Sequence, residues 1–431
     1  MAGKGLILGC IADDFTGGSD AASFLAAGGM NTILLSRIPT SDYVLPEDAQ
    51  AAVITLKSRT QETSAAVRDS LLAIRWLKEA GASHFYVKYC STFDSTPQGN
   101  IGPIVDAVME ELNAEGTILC PALPANDRIV RNGILYVKGL PLAESPMKDH
   151  PLTPMWESRI RLLMEPQGKY DSLEIWSDAL HGPDEALDRQ IQLLREAAAE
   201  SGKKHWYLIP DCRDDKDAAR IVSRFGDMTV LTGGSGILKD LAGRYKTKDH
   251  SPVFYQGTKG PAVILAGSCS TATHAQTLWY GAHNGTLFRL MDEDVLSGKL
   301  TAVSIWSRMK QQEAPLIFSY DSPEGLRRKR NQEGRRLAAE IEEILAQTAV
   351  EAVRHGVTRI IVAGGETSGA VTKALGYEAF RIGASVAPGV PVMIPLENPA
   401  IRLILKSGNF GQEDFFGRAL ELTKANSAPQ G

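Results

Sequence analysis

Short apolar runs recur along the chain, and each gives way abruptly to polar, glycine-bearing residues before a stretch with helical spacing begins. Leu6–Ala12 is the first such run; it ends in Asp13-Asp14, followed by Phe15-Thr16-Gly17-Gly18 and a helix expected from about Asp20 to Ala27. Strands are expected near Thr32–Leu35 and Ala51–Leu56. A helix is expected over about 63–80, because Val67, Leu71, Ile74 and Leu77 fall on one face and Gly81 supplies a stop. A strand at Phe85–Tyr89, a polar loop, a helix over Ile101–Leu112 and a strand at Thr117–Cys120 continue the alternation. This β-α-β order predicts a mainly parallel sheet with helices on both faces.

Residues 121–157 break the pattern. Pro121, Pro124, Pro141, Pro146, Pro151 and Pro154 cannot sit in regular helix interiors. Ile134–Val137 between them reads as one strand of a small hairpin, and so long an excursion reads as a lid or substrate wall. Alternation resumes through Glu185–Ala199, Trp206–Ile209 and Ala218–Phe225. Residues 244–260 are polar, aperiodic and marked by Gly and Pro, which places a domain boundary there. The expected division is a first domain over 1–245, a linker over 246–258 and a second domain over 259–431. The second begins with a strand at Ala262–Ala266. It continues through a long helix at about Glu333–His355, with an apolar stripe of Leu337, Ile341, Ile344, Leu345 and Val353, and a strand at Ile360–Ala363. The fold class expected is α/β: two α/β domains with mainly parallel sheets and a ligand cleft between them.

Composition narrows the function classes. The 431 residues are too many for one comfortable core. With 43% hydrophobic and 23% charged residues the chain reads as soluble and globular. A formal charge of −5 gives no basic field for nucleic acid or an anionic membrane. No apolar run approaches the ~18 residues that span a bilayer, and the start of the chain reads as no secretory signal. Five scattered cysteines without CxxC spacing argue against a zinc ribbon or disulfide frame and point to a reducing, cytoplasmic setting. Arg327-Arg328-Lys329-Arg330 reads as a solvated helix face.

The polar clusters fall just beyond strand ends, where open α/β sheets bind ligands. Asp13 and Asp14 are adjacent carboxylates that can bond vicinal hydroxyls, one of them orienting or deprotonating an attacking hydroxyl; a helix cap and turn is the alternative. Arg59, after the third strand, can grip a carboxylate in a bidentate fork. Lys88, Asp94, Ser95 and Thr96, ahead of Gly99-Asn100, suit a small polyhydroxy acid, with a surface salt bridge the competing explanation. In the second domain, Gly364-Gly365-Glu366-Thr367-Ser368-Gly369 follows a β-branched run and offers bare N–H groups to a phosphate. Gly267-Ser268-Cys269-Ser270 and Lys406-Ser407-Gly408-Asn409-Phe410-Gly411 are further candidate cradles. Together they point to a nucleotide, although no Walker A pattern is present. Cys269, with no evident base partner, reads as a small buried thiol. Thr232-Gly233-Gly234-Ser235-Gly236 reads as a structural turn, and His150 as a packed or capping residue. No GxGxxG with an acidic residue at Rossmann spacing occurs, which argues against an NAD-dependent acid-sugar oxidoreductase. A non-catalytic acid-sugar sensor is the remaining alternative class.

Four motifs taken together carry a resemblance: Ile11-Ala-Asp-Asp-Phe-Thr-Gly-Gly-Ser-Asp20, Lys88-Tyr-Cys-Ser-Thr-Phe-Asp-Ser-Thr96, Gly364-Gly-Glu-Thr-Ser-Gly369 and Lys406-Ser-Gly-Asn-Phe-Gly411. In this order, over residues 5–420, the chain resembles the four-carbon acid sugar kinase family. Its first two motifs look most like those of members acting on 3-oxo-tetronates, with D-threonate or D-erythronate as the alternative substrate. The resemblance implies an N-terminal domain for the acid sugar, a C-terminal domain for ATP, and transfer of the γ-phosphoryl group to the C4 hydroxyl; Mg²⁺ is expected with the ATP. It places Ser268, Ser270, Gly364, Gly365, Glu366, Thr367, Ser368, Gly408 and Gly411 at the nucleotide. Asp13, Asp14, Arg59, Lys88, Asp94 and Ser95 would face the sugar acid. Asp14 is the first choice for the catalytic carboxylate and Asp94 the second. One departure stands out: the family's Pro-Ala-x-Pro-x-x-Gly-Arg segment has Asp127 at its glycine, and aspartate tolerates the left-handed angles such a turn needs. The metal ligands are not identifiable from the sequence. Partners expected are the acid sugar and ATP, without nucleic acid or membrane, and a homo-oligomer is left open.

Overall fold

The computed structural model describes residues 5–149, 153–246, 257–283, 285–319 and 332–425. His150, the 327–330 cations and most of the expected linker lie outside these residues. The chain divides into two units, Met1–Pro252 and Val253–Gly431.

Among the described residues, eight strands form the main sheet of the first unit. Along the chain they are β1 Leu8–Ala12, β2 Thr32–Leu35, β3 Ala51–Thr55, β4 His84–Lys88 and β5 Gly116–Cys120. A small antiparallel sheet follows, of β6 Arg128–Arg131, β7 Ile134–Val137 and β8 Leu140–Pro141. The main sheet resumes with β9 Asp171–Ile175, β10 Trp206–Pro210 and β11 Val230–Gly233. Its order is β2-β3-β1-β4-β11-β5-β10-β9, and every pairing is parallel. Side chains of β1, β2 and β3 are buried throughout, which explains why these strands read as unbroken apolar runs. The small sheet occupies the proline-rich excursion. Asp127, at its entry, takes left-handed angles (φ 57°, ψ 35°).

The first helix differs from expectation. It spans Phe15–Ala27 (α1), five residues longer at its start, so Phe15-Thr16-Gly17-Gly18 is helix and not loop. Asp14 caps it by accepting from the Gly17 N–H. Two glycines in a first turn weaken a helix by roughly 1 kcal/mol each, yet packing requires them. A Cβ on Gly18 would lie 2.2 Å from Thr55 Cγ2, and one on Gly17 2.8 Å from Asp14 Oδ1. The helices α2 (Thr63–Glu79) and α3 (Ile101–Leu112) match the apolar spacing closely.

Among the described residues the second unit carries seven strands: β12 Ala262–Ala266, β13 Leu287–Arg289, β14 Leu316–Phe318, β15 Arg359–Ala363, β16 Ala379–Ala387, β17 Val390–Pro395 and β18 Arg402–Lys406. Their order is β13-β14-β12-β15-β18-β17-β16. The β16–β17 and β17–β18 pairings are antiparallel; the others are parallel. Ile264, Ile361, Ile404, Phe415 and Phe416 anchor its core. Among the described residues no helix is long and apolar enough to cross a membrane.

Both sheets change direction at their first strand. In the first unit β2 and β3 lie on one side of β1 and the later strands on the other. In the second, β13 and β14 lie on one side of β12 and β15 on the other. Each arrangement opens a crevice at the carboxyl ends of the strands, at the point where the order reverses.

Candidate active site

The crevice of the first unit gathers the polar residues that follow β1, β3 and β4. Asp13, Ser58, Arg59, Lys88, Asp94, Ser95 and Asn100 line one small cavity there. Arg59 organises them. Its Nε and Nη2 donate to the two oxygens of Asp13 at 2.8 and 3.0 Å, Nη2 also reaches Asp14 Oδ2 at 2.8 Å, and Nη1 lies 3.9 Å from Asp94 Oδ2. The bidentate grip expected for a ligand carboxylate is therefore occupied by Asp13. Burial opposes the guanidinium charge, but Asp13 more than offsets it and holds Arg59 ionised. Asp14 is pushed above the usual carboxylate range by burial first and by Asp13 second, against the pull of Arg59, the Gly17 N–H and Lys88. The N-cap and the candidate base are thus one residue.

Lys88 ends β4 with its side chain buried; Nζ donates to the Tyr89 carbonyl at 2.8 Å. This is no surface salt bridge. Asp94, also buried, accepts from Thr92 Oγ1 at 2.6 Å. The intervening Phe93 is fully buried and left-handed (φ 50°), an uncommon conformation for an aromatic residue that tightens the turn presenting Asp94.

Three residues given no role by sequence reasoning support the side chains of the first crevice. Asn100 donates to the carbonyls of Ser58 and Gln61 at 2.7 and 2.8 Å, bracketing Arg59. Gln167 is fixed by backbone: its Nε2 donates to Leu163 O (2.9 Å) and its Oε1 accepts from Gly102 N–H (3.0 Å). Ser95 must therefore donate to Oε1 (3.0 Å), which leaves the oxygen of Ser95 to act as an acceptor. Asp20, on α1, is buried; burial raises its pKa, while Lys88 and a hydrogen bond from Ser235 oppose the rise. An acid set among Ser19, Ala21, Ala22 and Ser23 was the available signal for Asp20. Gln167 had none, since its partners lie 65 and 72 positions away. The 232–236 loop is a structural turn: a Cβ on Gly233 or Gly234 would meet Cys120 O or Pro121 O at 2.0 or 2.3 Å.

In the second unit the candidate cradles meet. β15 passes into the Gly365–Leu375 helix through Gly364 alone (φ 132°), so this motif too is a helical turn more than a loop. Gly267 and Ser268 donate to Ala363 O, both at 3.1 Å, and Gly364 donates to Lys406 O at 2.9 Å. The segments after β12, β15 and β18 are thereby tied together. The first two of these border a cavity of about 530 Å³, lined by Gly267, Ser268, Cys269, Gly364, Gly365, Glu366 and Thr367 and by residues of the Gln332–Arg354 helix. That size suits a small-molecule or cofactor site, and the helix N-terminus inside it favours an anion. Cys269, expected to be buried, is half-buried on its wall.

Other expected nucleotide residues stand behind that wall. Ser368 is buried away from it. Ser270 caps the Thr271–His283 helix through Thr273 N–H and donates to Gly408 O at 2.6 Å. Gly411 (φ 84°) packs on Phe415, its loop held by Gln276 Nε2. Sequence reasoning missed Arg335 and Asp292 on the cavity wall, and Glu342, whose carboxyl meets that of Glu366. Burial first, then Glu366, raises Glu342. Among the described residues no set of three ligating side chains forms a ready-made metal cluster.

Residues 8–241 match the family model of a sugar-binding N-terminal domain, and residues 263–416 that of a nucleotide-binding C-terminal domain. A 3-oxo-tetronate kinase of Brucella melitensis is 40% identical over 424 residues, covering 96% of this chain and 95% of that protein. One from Haemophilus influenzae is 39% identical, covering 95% and 98%. A crystal structure of a Haemophilus influenzae protein superposes with a TM-score of 0.81 at 37% identity, over 96% of this chain and 100% of the other. The chain belongs to the four-carbon acid sugar kinases, phosphotransferases that act on a hydroxyl group.

Proposed function

We propose that the chain transfers the γ-phosphoryl group of ATP to the C4 hydroxyl of a 3-oxo-tetronate. The observation that carries this reading is the set Asp13, Asp14, Asp94 and Lys88 gathered around Arg59 at the switch point of the first sheet. Lys88 keeps two N–H donors beyond its bond to Tyr89 O and would hold the acid's carboxylate. Asp94 and the acceptor oxygen of Ser95 would take substrate hydroxyls. Asp14, with its pKa raised, would accept the proton of the attacking hydroxyl; a base works best when its pKa approaches the working pH. Arg59 and Asp13 would keep that carboxylate aimed.

On the second unit, Ser268 and the N–H groups of Gly365–Thr367 would receive the phosphates. Glu342 and Glu366 fit Mg²⁺, which is bound through one or two carboxylates together with substrate phosphates. When bound, the ion neutralises phosphate charge. The protein's own task is alignment and exclusion of water.

ATP consumption across 3-oxo-tetronates, threonates and erythronates, with the position of the product phosphate assigned by NMR, tests the assignment. Turnover confined to 3-oxo acids with phosphate on C4 is expected. Phosphate on another carbon, or no turnover with any four-carbon acid, would refute it.

A further inference from the structure

Lys406, the last residue of β18, is 1% exposed, and no charged side chain of the described residues is set against its ammonium. Its Nζ donates to Gly408 O at 2.9 Å, Thr273 Oγ1 at 2.9 Å and Ser407 O at 3.3 Å. Phe415 offers a ring face 5.7 Å away, and Ala363 is its neighbour on β15. A buried cation without an anion is costly, and burial pushes this one down to about 7. The cluster lies directly behind the phosphate cradle, because a Cβ on Gly408 would come within 2.4 Å of Ser268 Oγ.

Three donors converge on one carbonyl. Gly408 O accepts from Ser270 Oγ (2.6 Å), Thr273 Oγ1 (2.9 Å) and Lys406 Nζ. A trans peptide points its N–H opposite its C=O. Pinning the Gly408 carbonyl inward therefore turns the Asn409 N–H outward from that cluster. Among the described residues this N–H makes no hydrogen bond, while the turn around it is closed by Phe410 N–H on Ser407 O at 3.2 Å.

We propose that Lys406 is a positioning residue of the nucleotide site, which fixes the Gly408–Asn409 peptide with its N–H toward the phosphates and takes up a proton when they bind. The inference rests on the nucleotide reading given above. A polyphosphate at Ser268 supplies the negative charge that Lys406 lacks and favours its protonated form. Binding then draws a proton from solvent wherever the free protein has lost it.

Calorimetric titration of the full chain with ADP tests this. Between about pH 7.5 and 8.5, in buffers of differing protonation enthalpy, the wild type is expected to take up roughly half a proton per ADP. ADP affinity should fall as pH rises. K406M should bind ADP about ten-fold more weakly, raise KM for ATP without raising KM for the acid, and show no proton uptake. K406R should restore affinity without uptake. ADP binding by the wild type with heat independent of buffer overturns the inference while leaving the nucleotide reading intact, as does unchanged uptake in K406M. The wild-type titration decides even if K406M does not fold. Failure of the wild type to bind ADP at all overturns the nucleotide reading and this inference with it.

Discussion

At the scale of single residues, Asp14 carries two duties that pull in opposite directions. As the cap of α1 it gains from being ionised; as a buried neighbour of Asp13 it resists ionisation. Asp14→Asn retains an oxygen for the cap while removing the base. Turnover should drop by about 10²–10⁴-fold with ADP affinity unchanged, and steady-state assays beside ADP titration would show it. Wild-type turnover in that variant removes Asp14 from the mechanism. The wild-type rate should also fall on acidification at a pH above the ordinary carboxylate range, since the working form is ionised. Asp106 behaves differently. It accepts hydrogen bonds from Tyr207 OH and Lys169 N–H, and burial raises it to about 6. Between its unfolded value and that one, the folded chain holds a proton the unfolded chain has released. Stability therefore falls by about 2 kcal/mol as pH rises from roughly 4 to 6. Urea unfolding of the wild type against Asp106→Asn across that window measures it; parallel curves would contradict the assignment.

At the scale of elements, two glycine motifs misled in the same way. Gly17-Gly18 and Gly364-Gly365 read as loops because glycine and hydroxyl residues mark turns, yet each lies in or at the first turn of a helix. At Gly18 the reason is packing against Thr55, and at Gly364 a positive φ of 132° at the start of the helix, neither of which propensity contains. Gly18→Ala drives a methyl into Thr55 Cγ2 and should cost about 1–3 kcal/mol in urea unfolding. Thr55→Ser removes that methyl and should recover part of the loss in the double variant; no recovery would mean the clash lies elsewhere. Strands and the helices α2 and α3 were legible because burial writes them as apolar runs and 3.6-residue spacing. Asp13, Asp14, Arg59, Lys88 and Asp94 were legible as groups following strand ends. Their mutual pairing was not, because which carboxylate fills the arginine fork depends on side-chain geometry across 46 positions. Gln167, Asn100 and Glu342 stayed hidden for the same reason: each acts on a partner remote in sequence.

At the scale of the whole molecule, each unit places its candidate site where its sheet reverses order, so the two proposed ligands should leave separate footprints. In hydrogen exchange, ADP should protect residues 267–270, 364–368 and 407–411. A four-carbon acid such as threonate should protect 13–18, 58–62 and 88–102. Protection of the first set by the acid alone would contradict the division of labour. The direct passage from strand to helix at both sites has one more consequence. With so few residues between β1 and α1, or between β15 and the helix that follows it, there is no slack to take up a change in chain length. One added residue at either junction would rotate the helix behind it by about 100° against its sheet and swing carboxylates or amides off target. Natural length variation in such a chain should gather instead around the excursion at 121–157, leaving these two junctions as its fixed points.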